Sequence, residues 1–270
     1  LVVSARRARG QTGEHNSMLV HVTRFTSVQK QVSRQVKAEL QLVERRLRRG
    51  DPAILGEIRA LWQSDFVSTS ARVKDLYQEL DTTALAFEML EPHLAFSAED
   101  IQVREINGTA KDILDYEVHK QKGFNVIAIG GDKLARGLTL EGLSVSYFLR
   151  ASRMYDTLMQ MGRWFGYRPG YLDLCRLYTT KDLEEWFTHI TEASEELRRE
   201  FDHMQAVGGT PVQYGLKVKT HPVMAVTSKV KMRDSTEIPL VFAGELQETV
   251  AFFRNSSSLE RNLKATEVLL

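Results

Sequence analysis

The stretch Phe124–Arg150 reads FNVIAIGGDKLARGLTLEGLSVSYFLR, in which a loop with several glycines and one arginine, Arg136, lies between two apolar runs. The runs Phe124–Gly131 and Leu143–Arg150 each have the length and apolar content of a buried strand. Continuous apolar strands are typical of a parallel sheet, which helices cover on both faces. The loop thus begins at the carboxyl end of a parallel strand, where open α/β sheets bind ligands.

The rest of the chain supports an α/β fold, because strand and helix candidates alternate along it. Three further strand candidates are residues 17–23, 100–108 and 173–180. Short helices are predicted at residues 110–121 and 155–161. We therefore expect a parallel sheet flanked by helices.

The domain organisation predicted from these patterns has three parts. Residues 1–15 lack a starting methionine and are expected to be the leader of a fragment, followed by an α/β domain over 16–180. That domain carries a mostly helical insertion at about 33–95. Residues 181–270 are expected to form an α+β extension, which begins with a helix whose apolar residues recur at helical spacing. Strands are predicted in this extension at residues 216–228, 229–232 and 238–253.

Composition limits the function classes. The chain has 270 residues, of which 43% are hydrophobic and 26% charged, and its net charge of +1 gives no global attraction to nucleic acid. Cys175 is the single cysteine, so an intrachain disulfide is excluded and a reducing compartment is favoured. No apolar run reaches the roughly 18 residues of a membrane span. We expect a cytoplasmic protein with no membrane partner.

The segment YDTLMQMGRWFGYR, residues 155–168, predicts a helix that ends at Gly162 and is followed by Arg163 and Arg168. An arginine held at a helix end can stabilise the charge that develops on a transferred phosphoryl group. Both arginines could equally pair with local carboxylates or stack on nearby aromatic rings. Residue chemistry alone leaves these two alternatives open.

The order of the motifs resembles the second motor domain of superfamily 2 helicases. MLVHVTRFTSVQKQV, residues 18–32, resembles motif IV, and IAIGGDKLARGLTLEGL, residues 127–143, resembles motif V. QMGRWFGYR, residues 160–168, resembles the arginine-finger motif VI. The longer stretch 130–180 is similar to the Z1 domain family of endonuclease-like proteins, which occur with superfamily 2 helicase modules in microbial DNA processing and defence. The resemblance covers roughly residues 16–235 and implies a RecA-like sheet.

The resemblance also implies roles for individual residues. Arg163 and, second, Arg168 would be the catalytic arginines. The nucleotide-binding candidates are Gln160, Gly162, Asp132 and Thr139. The nucleic-acid-binding candidates are Gly130, Gly131, Arg136, Gly137, Thr23 and Arg24. Thr139 stands where many helicases carry aspartate, and the two arginines are two residues further apart than in the usual motif.

Several expected elements are missing from the sequence. The chain has no Gly-x-x-x-x-Gly-Lys-[Ser/Thr] loop and no Asp-Glu box, so ATP and Mg²⁺ would be bound mainly by an N-terminal P-loop helicase domain. No Glu-x-Lys triplet of the kind found in metal-dependent nucleases occurs, and the seven histidines have no metal-ligand spacing. Endonuclease activity is therefore implied by the resemblance alone, and no metal ligands are predicted.

A basic segment at residues 34–49, RQVKAELQLVERRLRR, either follows a phosphate backbone or is a solvated helix face. Lys217 and Lys219 likewise belong to a phosphate-tracking surface or to an edge strand protected by lysines. The predicted function is that of the C-terminal half of an ATP-driven nucleic-acid motor, acting on DNA. The alternative is a catalytically inert, motor-like domain that binds nucleic acid or protein and regulates an assembly.

Overall fold

The computed structural model describes a core sheet and the helices around it. The described residues are 1–79, 85–107, 114–131, 139–150, 152, 154–162, 168–209, 218–233, 235–236, 238 and 255–269. They divide into two compact units, Leu1–Lys229 and Val230–Leu270. The first unit includes the expected leader and runs past residue 180, where the sequence predicted a boundary.

Five strands form the sheet of the first unit, and all their pairings are parallel. They are β1 (Asn16–His21), β2 (Gln102–Ile106), β3 (Asn125–Gly130), β4 (Leu143–Phe148) and β5 (Arg176–Tyr178). The spatial order is β2-β3-β1-β4-β5, which puts β1 in the centre. The predicted parallel α/β sheet flanked by helices is confirmed, and its arrangement is consistent with a RecA-like domain.

Helices make up most of the described chain between β1 and β2, and the sequence predicted a mostly helical segment at about 33–95. The described segments are α2 (Thr26–Arg48), α3 (Pro52–Leu61), a π-helical turn (Trp62–Val67), α4 (Ser68–Leu76), α5 (Phe87–Leu90), a 3-10 turn (Glu91–His93) and α6 (Leu94–Asp100). A cap explains the start of α3: the Asp51 side chain accepts from Ala53 N at 2.9 Å, and Pro52 occupies the first turn.

The remaining helices are α1 (Val2–Ala8), α7 (Tyr155–Gly162), α8 (Lys181–Ala206) and α9 (Ser256–Leu269), with a 3-10 turn at Leu172–Leu174. The Thr180 side chain caps α8 by accepting from Leu183 N at 3.3 Å. Leu183, Ile190 and Ala193 form the buried stripe of α8, so the helix predicted beyond residue 180 is confirmed.

Two predictions of local structure fail. Residues 116–121, the second half of the helix predicted at 110–121, form turns. Residues 218–233 also form bends and turns, and their one bridge in the described chain joins Met154 to Ala225. β-propensity needs a partner strand to become a ladder, and here only one residue pair meets. Most of the strand predicted at 238–253 lies outside the described residues.

The first unit has two hydrophobic clusters. One joins Leu19, Val126 and Phe148 of the sheet to α7 and α8. The other joins α1, α2, α3, α5 and α6 to Tyr171, with Val145 of β4 packed against it. Right-handed crossovers place the β1–β2 connection and the β4–β5 connection on opposite faces, because they move in opposite directions along the sheet. Helices α2 and α7 therefore cover opposite faces.

Candidate functional site

A crevice is expected at the carboxyl edge of the sheet beside β1. The connection from β1 leads towards β2, whereas the connections from β3 and β4 lead the other way. Strand neighbours whose connections diverge leave a gap outside their carboxyl ends, and ligands of open α/β sheets bind in such gaps. Residues just after His21, Gly130 and Phe148 therefore surround the candidate site.

Gly131 packs tightly against the turn between β1 and α2. A Cβ at Gly131 would lie 2.6 Å from Gln29 Nε2, 3.2 Å from the Thr23 carbonyl oxygen and 3.3 Å from Arg24 Cα. A side chain there would displace the Gln29 amide and push the backbone of Thr23 and Arg24 by a few tenths of an ångström, so the position favours glycine. The structure thus brings together four of the predicted nucleic-acid-binding residues, Thr23, Arg24, Gly130 and Gly131.

Gln29 holds this turn in place, and the sequence analysis did not single it out. Its Nε2 donates to the Thr23 carbonyl oxygen at 2.9 Å, while Thr23 Oγ1 accepts from Phe25 N at 3.2 Å. Gln29 is 1% exposed, and its Oε1 has no hydrogen-bond partner within the described chain. A glutamine buried one turn inside an amphipathic helix, where the pattern calls for an apolar residue, was the available signal.

Arg24 and Phe25 form the exposed lip of the crevice. The Arg24 guanidinium carbon lies 5.2 Å from the centroid of the Phe25 ring, and Phe25 is 58% exposed. Helix α2 starts at Thr26 without a side-chain cap, so its first N–H groups are available to an anion. A cation, an aromatic face and free N–H groups together suit a phosphate and its base.

On the β4 side, His21 and Arg150 line the same edge. His21 is fully buried at the end of β1, and its carbonyl oxygen accepts from Leu149 N at 3.0 Å and from Arg150 N at 3.2 Å. Arg150 Nη1 lies 3.4 Å from His21 Nε2, a weak contact in a half-buried position. Sequence reasoning missed both residues, because a single arginine after a strand has no distinctive spacing.

The predicted nucleotide residues lie elsewhere. Gln160 is exposed on α7 and Gly162 ends that helix. Arg168 Nε donates to the carbonyl oxygen of Leu143, the first residue of β4, at 3.3 Å. Arg168 is therefore at the amino edge of the sheet, separated from the crevice by a strand of about 20 Å.

The surroundings of Arg168 are dense in arginine and built partly from α1. The Arg6 guanidinium carbon lies 4.0 Å above the Tyr171 ring, and Arg6 Nη1 donates to the His15 carbonyl oxygen at 2.6 Å. Burial raises the pKa of the Tyr171 hydroxyl and raises the pKa of the Cys175 thiol to about 11. Cys175 is therefore a neutral thiol at pH 7 and no nucleophile.

Four predicted residues, Asp132, Arg136, Gly137 and Arg163, lie outside the described residues, and Thr139 is exposed shortly before β4. Within the described part of the chain, no group of three or more His, Cys, Asp or Glu side chains could hold a metal ion. The described helices also include none with the length and apolar character needed to cross a membrane.

Residues 1–226 match the model of the Z1 domain. The chain belongs to the Z1 domain family. The match begins at the first residue, in agreement with the burial of α1 in the same unit as the sheet. No curated protein and no solved structure matches this Z1 chain.

Proposed function

We propose that this Z1 domain chain is the second half of an ATP-driven DNA motor of the superfamily 2 helicase type, in microbial DNA processing or defence. The observation that carries the proposal is the packing of Gly131 on the turn at Thr23 and Gln29, beside Arg24 and Phe25, at the carboxyl edge of the sheet. This part of the edge suits a sugar–phosphate backbone because it offers the first N–H groups of α2, the cation of Arg24 and the ring of Phe25.

The second element of the proposal is an arginine finger at the opposite edge. ATP and Mg²⁺ would be held mainly by a P-loop helicase domain, with Arg163 contacting the transferred phosphoryl group and Arg168 next to it. Fixed positive charge is most effective where negative charge develops in the transition state. Gln160 and Gly162 on α7 would line the nucleotide side.

The two sites would communicate through the sheet. Residues 131–142 run from the end of β3, in the crevice, to the start of β4, beside Arg168. A shift of this segment on hydrolysis would alter the contact of Gly131 with the DNA backbone. Asp132, Arg136, Gly137 and Thr139 all belong to this segment, which fits the coupling role that the resemblance implies for it.

ATP turnover tests the proposal. We would assay the protein that contains this chain together with its P-loop domain, with and without DNA, as wild type, Arg163→Ala and Arg199→Ala. Arg199 is an exposed arginine on α8 and serves as the matched control. Loss of one arginine finger lowers turnover by about a thousandfold or more. DNA-stimulated turnover that collapses only in Arg163→Ala supports the motor.

A regulatory binding module is the second candidate, and the contacts of Arg168 favour it. Arg168 Nε already donates to the Leu143 carbonyl oxygen, and its charge lies beside Tyr171 and Cys175, which are structural positions. A module would bind nucleic acid or protein without turnover. If the wild type has no ATPase activity, or if Arg163→Ala is as active as the wild type, the motor is refuted and the binding module is favoured.

A further inference from the structure

The outer face of helix α2 has an unusual charge distribution. Four basic residues, Lys30, Arg34, Lys37 and Arg45, follow one another at spacings of four, three and eight residues, with Gln41 completing the row. Residues three and four apart lie on the same side of a helix, so these side chains form one stripe. The buried residues Gln29 and Leu47 lie about 120° around the helix from the middle of the row. All five members of the row are exposed.

Four acids in or near α2 pair with other arginines. Asp51 and Glu57 pair with Arg46, and Glu44 and Glu99 pair with Arg48. Within the described chain, none of Lys30, Arg34, Lys37 and Arg45 forms an ion pair, and neither does Arg49 just after the helix. We call Lys30, Arg34, Lys37, Arg45 and Arg49 the basic stripe. Like charges three and four residues apart destabilise a helix by a few tenths of a kcal/mol each, and a polyanion relieves that repulsion.

Helix α8 provides a comparison, because it is also solvated but carries mostly acidic side chains. Its 26 residues carry eight acidic and three basic side chains, whereas the 23 residues of α2 carry two acidic and six basic ones. An ordinary solvated surface mixes both signs. Although the net charge of the chain is only +1, helix α2 is positive on one face of the sheet and helix α8 is negative on the other.

The shape of the stripe selects its partner. From Lys30 to Arg49 a straight helix extends roughly 28 Å, the length of about eight base pairs of B-form DNA. The row contains no aromatic side chain on which an unstacked base could lie, in contrast to Phe25 at the crevice. A rigid row of cations without stacking groups matches the regular phosphates of a duplex rather than a single strand.

We propose that the basic stripe of α2 binds the phosphate backbone of double-stranded DNA, independently of sequence and of ATP. Helix α2 begins at the crevice, so a duplex on the stripe would lead its strand towards Arg24 and Gly131. The inference concerns a surface separate from the crevice and does not depend on the arginine finger.

The test is duplex binding without nucleotide. Fluorescence anisotropy would follow the 270-residue chain binding a labelled duplex of about 20 base pairs over a salt series. The variant Arg34→Gln/Lys37→Gln/Arg45→Gln removes three cations of the stripe. The matched control Lys181→Gln/Arg198→Gln/Arg199→Gln removes three exposed cations from α8 and changes the net charge equally.

We expect the stripe variant to lower the slope of log affinity against log salt by about 2.7, since each phosphate contact contributes about 0.9. Affinity at low salt should fall at least tenfold, on the order of the loss for several phosphate contacts, for every duplex sequence alike. The control variant should match wild type within about twofold. Circular dichroism should show unchanged helix content in both variants.

Three results would overturn the proposal: an unchanged salt slope in the stripe variant, equal losses in both variants, or tighter binding of a single strand than of the duplex. Because the assay contains no nucleotide, a failed ATPase experiment leaves this result standing. Conversely, a motor with an arginine finger could turn over normally while the stripe fails to bind.

Discussion

Replacing Arg9 by methionine should strongly destabilise the first unit, although Arg9 lies in the segment that the sequence marked as a leader. The carboxylate of Asp173 is fully buried, and it accepts from Arg9 Nη1 at 2.8 Å and from Arg9 Nη2 at 2.5 Å. Ser70 Oγ donates to the same carboxylate at 2.6 Å. This cluster joins the end of α1 to the 3-10 turn before β5 and to α4.

The expected loss in the free energy of unfolding is about 3–5 kcal/mol, because Arg9→Met leaves a buried charge without its counter-ion. Burial by itself raises the pKa of Asp173, but the hydrogen bonds from Arg9 and Ser70 and the charge of Arg9 outweigh it, so the pKa lies below 3.8. The contribution of ionised Asp173 to the stability of the folded protein is thus complete above about pH 3.8. It is lost as the pH falls through the lower pKa that Asp173 has in the folded state.

In Arg9→Met the burial effect should prevail and raise the pKa of Asp173. Protonation then removes the unpaired charge, so the stability gap between wild type and variant should narrow as the pH falls from 7 towards 4. Urea unfolding followed by circular dichroism at both pH values measures this gap.

The control is Arg199→Met on α8. Its partner Glu195 lies 4.0 Å away, and both side chains are more than half exposed, so the loss should stay below about 0.5 kcal/mol. A loss below about 1 kcal/mol in Arg9→Met, or a gap that widens at low pH, would refute the reasoning.

Two further predictions concern the amino edge. In thermal unfolding, Gly142→Ala should destabilise the protein by at least about 2 kcal/mol more than Gly50→Ala. Both glycines have positive φ, 62° and 64°, but only a Cβ at Gly142 would overlap the His15 carbonyl. Equal losses of stability in the two variants would contradict this packing. Burial raises the pKa of Cys175 to about 11 from an ordinary 9.0. At pH 8 this thiol should therefore react with iodoacetamide about a hundredfold more slowly in the native than in the unfolded protein, which mass spectrometry would measure. Equal reaction rates in the two states would contradict its burial.

Local patterns predicted much of the fold correctly. The apolar runs around Phe124–Gly131 and Leu143–Arg150 became β3 and β4, and the helical texture of residues 33–95 became α2–α6. Apolar periodicity and run length are properties of neighbouring residues, which the sequence displays directly. The failed strand at 218–233 shows the limit, since a strand exists only where a partner pairs with it.

Some residues of the candidate site could be identified from the sequence, and others could not. Its glycines and arginines could be named from the motif, and the grouping of Thr23, Arg24, Gly130 and Gly131 follows because each lies at or just after the carboxyl end of a strand. Gln29, His21 and Arg150 were missed, because their roles depend on burial and on contacts between distant segments. A single polar residue within an apolar pattern has no spacing from which its partner can be read.

The sequence by itself determined the parallel α/β class, the helical connection after β1 and the placement of Gly130 and Gly131 at the end of a strand. Only the tertiary structure decided that β1 is central, that Arg168 lies at the edge opposite the crevice, and that α1 belongs to the core through Arg9 and Asp173. Strand order and ion pairs between residues 164 positions apart depend on how distant segments pack, and no local pattern of residues encodes that packing.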